Sequence, residues 1–153
     1  MPTLRSINVN PNGGVPKHPV ESAFLDYDVV RGDKQANRRF HGGPLRAACL
    51  YSLDRIHALR DEGHSITPGS TGENLTIEGL DWNAVTPGTK LAVGEALLEV
   101  TTYTAPCQKI AGSFVRGDFG RLSQKTYPGW SRVYVKVLRS GEVKVGDAVC
   151  IEQ

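Results

Sequence analysis

The chain has no apolar run approaching the roughly 20 residues that a membrane-spanning helix requires, and its opening MPTLRSINVN lacks the apolar centre of a signal peptide. These absences argue against a membrane span or a membrane partner and predict a cytoplasmic protein. Cysteine is scarce, with only Cys49, Cys107 and Cys150. An odd count with no Cys-x-x-Cys pair excludes a closed disulfide framework and a zinc knuckle, and free thiols fit a reducing compartment. Charge of one sign is not in excess: the formal net charge is +2, which gives no bulk electrostatic case for nucleic acid. Neither an internal repeat nor a low-complexity tract is present.

What the chain does have is punctuation. Its 17 glycines and 9 prolines are spread along 153 residues rather than gathered in a linker, so a single domain over 1–153 is expected. Between them lie short runs that read as strands: TLRSINV, AFLDYDVV, RAACLY, NLTIEG, TKLAV, ALLEVTTY, RVYVKVL and AVCIE. Leu98, Val100 and Thr102 fall on one face of their run, and Val133, Val135 and Val137 on one face of theirs, opposite Tyr134 and Lys136. Gly94-Glu95 reads as a tight hairpin turn. One helix is expected within 52–63, with Ser52 capping its start and Gly63 ending it. A second short helix is expected to begin at Pro106, and DFGRLSQK to add a turn. The pattern predicts a mainly β fold, a closed or nearly closed β-barrel with a few short helices, with a sandwich as the alternative.

Local charge is more informative than the total. Residues 31–46 carry Arg31, Lys34, Arg38, Arg39 and Arg46 against Asp33 alone, and residues 107–136 carry Lys109, Arg116, Arg121, Lys125, Arg132 and Lys136 against Asp118 alone. These stretches either meet to make an anion site or form two separately solvated faces. Cys49 and Cys150 sit in apolar runs and read as core residues. Cys107 sits between Pro106 and Gln108-Lys109. In the first turn of a helix, its thiolate would be favoured by unpaired N–H groups and by Lys109. Such a sulfur ligates metal or carries sulfur; the alternative is a partly buried, inert thiol.

Three further segments carry candidate binding groups. In RFHGGPLR, His41 precedes Gly42-Gly43, whose backbone can approach a ligand closely, and Arg39 and Arg46 flank the loop. The same residues also fit a sharp turn. In TPGSTGENLTIEG, Glu73 and Asn74 offer a carboxylate and an amide to a polar ligand, or close the loop on itself. In YPGWSR, Trp130 either stacks on a flat ring or caps the barrel, and Arg132 is placed to reach an anion. His18, His57 and His64 show no ligand spacing.

Taken together, RGDKQ at 31–35, HGGPLRAACLYS at 41–52, PGSTGENLTIEGL at 68–80 and APCQKIAGSF at 105–114 resemble the MOSC domain, named for the C-terminal domain of molybdenum cofactor sulfurase. The SQKTYPGWSRVYVKVL stretch resembles the small stand-alone bacterial members. The resemblance implies a β-barrel that binds a molybdenum cofactor of the molybdopterin type. It puts Cys107 in the role of metal ligand or sulfur carrier. It also puts Arg39, His41, Gly42, Gly43, Arg46, Glu73, Asn74, Lys109 and Arg132 around the cofactor. Two departures stand out. Thr104 occupies a position where relatives often have arginine, and Gln108 one where they often have an aromatic. The implied activity is a molybdenum-dependent oxidoreductase acting on N-hydroxylated compounds with an electron-donor protein. The alternative is a sulfur carrier, a binding module holding a Cys107 persulfide received from a sulfur-donor protein. No pyridoxal phosphate is expected.

Overall fold

The computed structural model describes residues 1–34 and 43–152. Strands β1 (Thr3–Val9), β2 (His18–Val20) and β3 (Ser22–Leu25) precede β4 (Ala48–Ser52), helix α1 (Leu53–Asp61) and β5 (Leu75–Glu78). Strands β6 (Lys90–Val93), β7 (Ala96–Thr104), β8 (Arg132–Arg139), β9 (Gly141–Lys144) and β10 (Val149–Glu152) follow, with short 3-10 turns between elements. Eight strands form one sheet in the order β10-β6-β7-β8-β4-β5-β1-β2, and β3 pairs with β9 in a separate ribbon. Strands β4 and β5 are parallel. A parallel pair needs a crossover, and α1 lies in that connection.

The sheet curls until β1 meets the approach to β10. The amide of Leu4 donates to Asp147 O at 2.9 Å, that of Val149 to Pro2 O at 3.0 Å, and Thr3 bridges Ala148. This seam is one bridge and not a ladder. The fold is therefore mainly β with few short helices, as expected, but its sheet is not a continuously closed barrel.

Local rules account for most elements. Leu98, Val100, Val133 and Val135 are buried as the two-residue period requires, each worth about 1.5–3 kcal/mol of apolar burial. Thr102 turns to solvent because the register with β8 slips between Val100 and Thr102. Helix α1 starts where Ser52 Oγ accepts from Arg55 N at 3.1 Å and ends before Gly63, whose φ is +101°. Its Ile56 and Leu59 are fully buried. Gly94, at φ +53°, turns β6 into β7 with Val93 opposite Ala96.

Four expectations need correction. The run AFLDYDVV is a strand only over Ser22–Leu25 and then turns, so that Leu25 bridges Val30. Strands β2 and β9 fall in stretches not read as strands. Cys150 is exposed and not in the core: β10 has a ladder partner on one side only, and just Val149 of it is buried. No α-helix begins at Pro106. Residues Gln108–Ser113 form a six-residue 3-10 turn, and Cys107 precedes it in extended backbone.

Candidate functional site

The site begins with an anomaly on β8. Alternation puts Arg132 and Tyr134 on the face opposite the valines, where water is expected, yet they are only 5% and 8% exposed. Cys49 on β4 pairs with Tyr134, and Thr104 on β7 pairs with Arg132. These four side chains therefore share one face of the sheet. Over them fold the 105–110 segment, the 71–74 loop and the 14–17 segment, leaving a cavity of about 90 Å³ within a cleft of about 660 Å³. A single buried water needs only about 10–15 Å³ by the same kind of measure, so this space is ligand-sized.

Cys107 lines the cavity and is half-buried. Its carbonyl accepts from Ile110 N at 3.1 Å, which fixes the turn that follows. Cys49 lines the same cavity but is sealed, with Sγ 3.5 Å from Thr104 Oγ1. Burial pushes its thiol pKa up, and the Arg132 charge offsets only part of this. At neutral pH Cys49 is a neutral wall, and Cys107 is the accessible sulfur. Burial also pushes the Tyr134 phenol up, so it stays protonated and able to donate. The Arg46 guanidinium lies 5.5 Å from the Tyr134 ring centroid.

The cations Lys17, Arg46, Lys109 and Arg132 line the cavity with one carboxylate, Asp33. Asp33 is committed: Oδ2 pairs with Lys17 Nζ and accepts from Asn74 Nδ2 at 2.9 Å, while Oδ1 accepts from Asn10 N at 2.8 Å. The Lys17–Asp33 charges cancel, which leaves the cavity net positive. The two basic stretches of the sequence thus meet through Arg46, Lys109 and Arg132. Arg132 donates from Nη1 to Thr71 O at 2.6 Å and from Nη2 to Ala105 O at 3.5 Å. Its buried Nε has no partner among the described residues.

Two candidate groups turn out to be scaffold. Glu73 is fully buried and does not line the cavity. Its carboxylate accepts from Gly69 N at 3.1 Å, Thr71 Oγ1 at 2.9 Å and Thr76 Oγ1 at 3.1 Å. Burial pushes its pKa up against the pull of those donors. Asn74 reaches the lining, but both its N–H groups are used, one on Asn8 O and one on Asp33, and its Oδ1 accepts from Cys49 N at 3.0 Å. Gly43, at φ +87°, precedes the Pro44–Arg46 turn and is not in the lining. Arg39, His41 and Gly42 lie outside the described residues.

Trp130 is also structural. The guanidinium groups of Arg55 and Arg121 sit over its ring at 4.3 and 4.1 Å, and it packs against the core. His64 is satisfied by Val115 N at 3.0 Å. Sequence reasoning missed Lys17, Asp33, Cys49 and Tyr134. The usable signal was strand parity for Cys49 and Tyr134, which sit on the face that also carries Arg132. Among the described residues no three His, Cys, Asp or Glu side chains converge as a metal site. No described helix is long and apolar enough to cross a membrane.

Comparison with known proteins agrees with this architecture. The protein is 32% identical over 135 residues to YflK of Bacillus subtilis, covering 87% of this chain and 60% of that protein. It is 33% identical over 106 residues to YiiM of Escherichia coli, covering 66% of this chain and 47% of that one. The chain thus spans about half to three fifths of the length of these relatives. The crystal structure of YiiM from Geobacillus stearothermophilus superposes with a TM-score of 0.75 at 24% identity, over 100% of this chain and 76% of that one. That of YiiM from Escherichia coli gives 0.74 at 23%, over 100% and 70%. The family model for the MOSC domain matches residues 37–150, which takes in the cavity wall from Arg46 to Tyr134, and the chain belongs to the MOSC domain family.

Proposed function

We propose that the cavity binds a molybdopterin-type cofactor, with the Cys107 sulfur directed at its metal, and that the protein is a molybdenum-dependent oxidoreductase. One observation carries this reading: an accessible thiol and a buried guanidinium with no carboxylate partner among the described residues line the same cavity. Family membership supports it, since the MOSC domain is associated with molybdenum cofactor proteins.

The residues present fit two parts of such a cofactor. A soft thiolate suits a soft metal centre, and Arg132 with Lys109 and Arg46 suits a phosphate. The fit is poorer at the pterin edge, because Glu73 is sealed and the Asn74 donors are spent. When bound, the cofactor would supply two-electron redox chemistry. The chain's own groups hold charge and protons: Arg132 and Lys109 neutralise anionic oxygens, Tyr134 stays a neutral donor, and Cys49 and Ile110 limit water on the buried side. N-hydroxylated compounds are the proposed substrates, and electrons would come from a separate donor protein. No flavin or iron–sulfur motif stands in the sequence.

The test is molybdenum and pterin content of protein purified from cells that make the cofactor. Near-equimolar metal is expected, and metal-free protein under those conditions would defeat the reading. In the sulfur-carrier alternative, the intact mass would instead show one added sulfur atom on Cys107, lost in Cys107→Ser, with no metal.

A further inference from the structure

We infer that the outer face of strands β10, β6, β7 and β8 is a self-complementary surface that packs on a second copy of this chain about a two-fold axis running along the strands. The inference goes beyond the reading above and does not depend on what the cavity binds.

An antiparallel sheet with one face on the core is expected to be polar on the other. The core face obeys the rule, with Leu91, Leu98, Val137 and Val149 buried. The opposite face does not. Register lays two rows of side chains across its four strands. One row is apolar: Cys150 stands opposite Ala92 and Ala92 opposite Leu97. Leu138 continues it, as the extra residue where β8 slips against Leu97. None of the four is buried, and Cys150 and Leu138 are exposed. Apolar side chains aligned over four strands are more than scattered surface residues, and such a patch marks an interaction surface. The second row is charged and runs Glu152, Lys90, Glu99, Lys136. Lys136 Nζ lies 3.4 Å from Glu99 Oε2, so pairing within the sheet accounts for those two. Lys90 and Glu152 stand opposite each other and are exposed, yet neither joins an ion pair among the described residues.

The order of the signs selects the occupant. A two-fold axis along the strands, set between β6 and β7, reverses strand order but keeps each residue's position along its strand. Each row then meets its own copy backwards. A row reading − + − + is complementary to itself when reversed, whereas + − − + is not. Lys136 faces Glu152 of the second copy, and Glu99 faces Lys90 of the second copy. Symmetry repeats both contacts, as an isologous interface requires. In the apolar row Leu97 meets Ala92 of the second copy, and Leu138 meets Cys150 of the second copy. The apolar row supplies burial and the charged row fixes register. The segments that roof the cavity lie over Arg132 and Thr104, at the other end of β8 and β7, which leaves both rows open. Four strands about 4.8 Å apart make a narrow face, smaller than the roughly 800 Å² per partner of a standard interface. The pair is therefore weak and reversible.

The test is sedimentation equilibrium of the full chain, thiols reduced, from micromolar to millimolar protein at low salt. The mass should rise from that of one copy towards that of two, and fall back as salt is added. A mass that stays at one copy overturns the inference. Lys90→Glu puts like charges together on both sides of the axis and should weaken association about tenfold or more. Leu97→Lys should do the same, with the unfolding midpoint checked to confirm the fold. Association unchanged in both variants would place the contact elsewhere and overturn the inference. The sharpest form reverses the whole row with Lys136→Glu, Glu99→Lys, Lys90→Glu and Glu152→Lys together. That protein should pair with itself and not with wild type; mixed pairs forming as readily as like pairs would overturn the assigned register. Leu138→Cys adds a geometric check. It lies three strand spacings of about 4.8 Å from Cys150 in the same copy, beyond the roughly 7 Å Cα limit for a disulfide. Oxidation of Leu138→Cys should thus yield a covalent dimer that Cys150→Ser abolishes. A covalent dimer that survives Cys150→Ser would contradict the assigned register.

Discussion

At position 73 a fully buried carboxyl accepts three hydrogen bonds, and the nature of the donors fixes what a replacement can do. Glutamine keeps an oxygen for Gly69 N–H, and its amide can donate to a threonine hydroxyl. Glu73→Gln should therefore cost under about 1 kcal/mol, and Glu73→Ala about 3 kcal/mol, because alanine strands buried donors. Burial raises the Glu73 pKa. An acid whose folded pKa lies above its unfolded one stabilises at low pH, and that stability is lost as pH climbs from the ordinary carboxylate range, about 4.3, through the raised value. Urea unfolding of wild type and Glu73→Gln across this window should show wild type losing ground as pH rises. A wild-type advantage that grows with rising pH would contradict the burial argument. The sequence displayed Cys107, Arg46, Lys109 and Arg132 as chemically available groups. For Glu73 and Asn74 it left ligand binding and loop closure both open, and it did not display which partners would be used. Their partners, Asn8, Asp33 and Cys49 for Asn74 and the Gly69–Thr76 loop for Glu73, are chosen by how the loop closes and what packs against it.

Elements with strong local signals were the legible ones. Helix α1 has its cap, its apolar stripe and its terminating glycine in sequence order, and Ser52→Ala should lose about 1 kcal/mol in urea unfolding as the Arg55 N–H loses its acceptor. The β6–β7 hairpin was equally plain. Gly94 has positive φ, and an added Cβ would press on the Asp147 carboxylate and on Glu142 O at 3.0 Å. Gly94→Ala should thus cost about 1–3 kcal/mol, and a change below half a kcal/mol, on the order of a surface substitution, would show that the turn relaxes. Strand β2 escaped notice because it has three residues with Pro19 in the middle, and β9 because its partner β3 lies at the far end of the chain. The turn after Pro106 was read as helical because proline suits a first helical position. The chain instead stays extended through Cys107, with φ −143°, and this leaves the sulfur at the cavity.

At the scale of the molecule, the sheet is drawn together by the seam between β1 and the approach to β10. If that seam belongs to the cooperative fold, the amides of Leu4 and Val149, bonded to Asp147 O and Pro2 O, should exchange with solvent as slowly as those in the middle of the β7–β8 ladder. Exchange near the unprotected rate would mean that the sheet is open there. A barrel-like fold was legible from the number and spacing of strands; its degree of closure was not, because closure depends on curvature and not on composition. The same curl brings positions as distant as 14 and 134 to one cavity, a convergence that no local pattern encodes. The central claim is that the Cys107 sulfur meets the metal of a cofactor held there. X-ray absorption at the molybdenum edge, on wild type and Cys107→Ser loaded in the same cells, tests it most directly. We predict one sulfur neighbour fewer around the metal in the variant, or no metal at all; an identical sulfur shell in both proteins would contradict the claim.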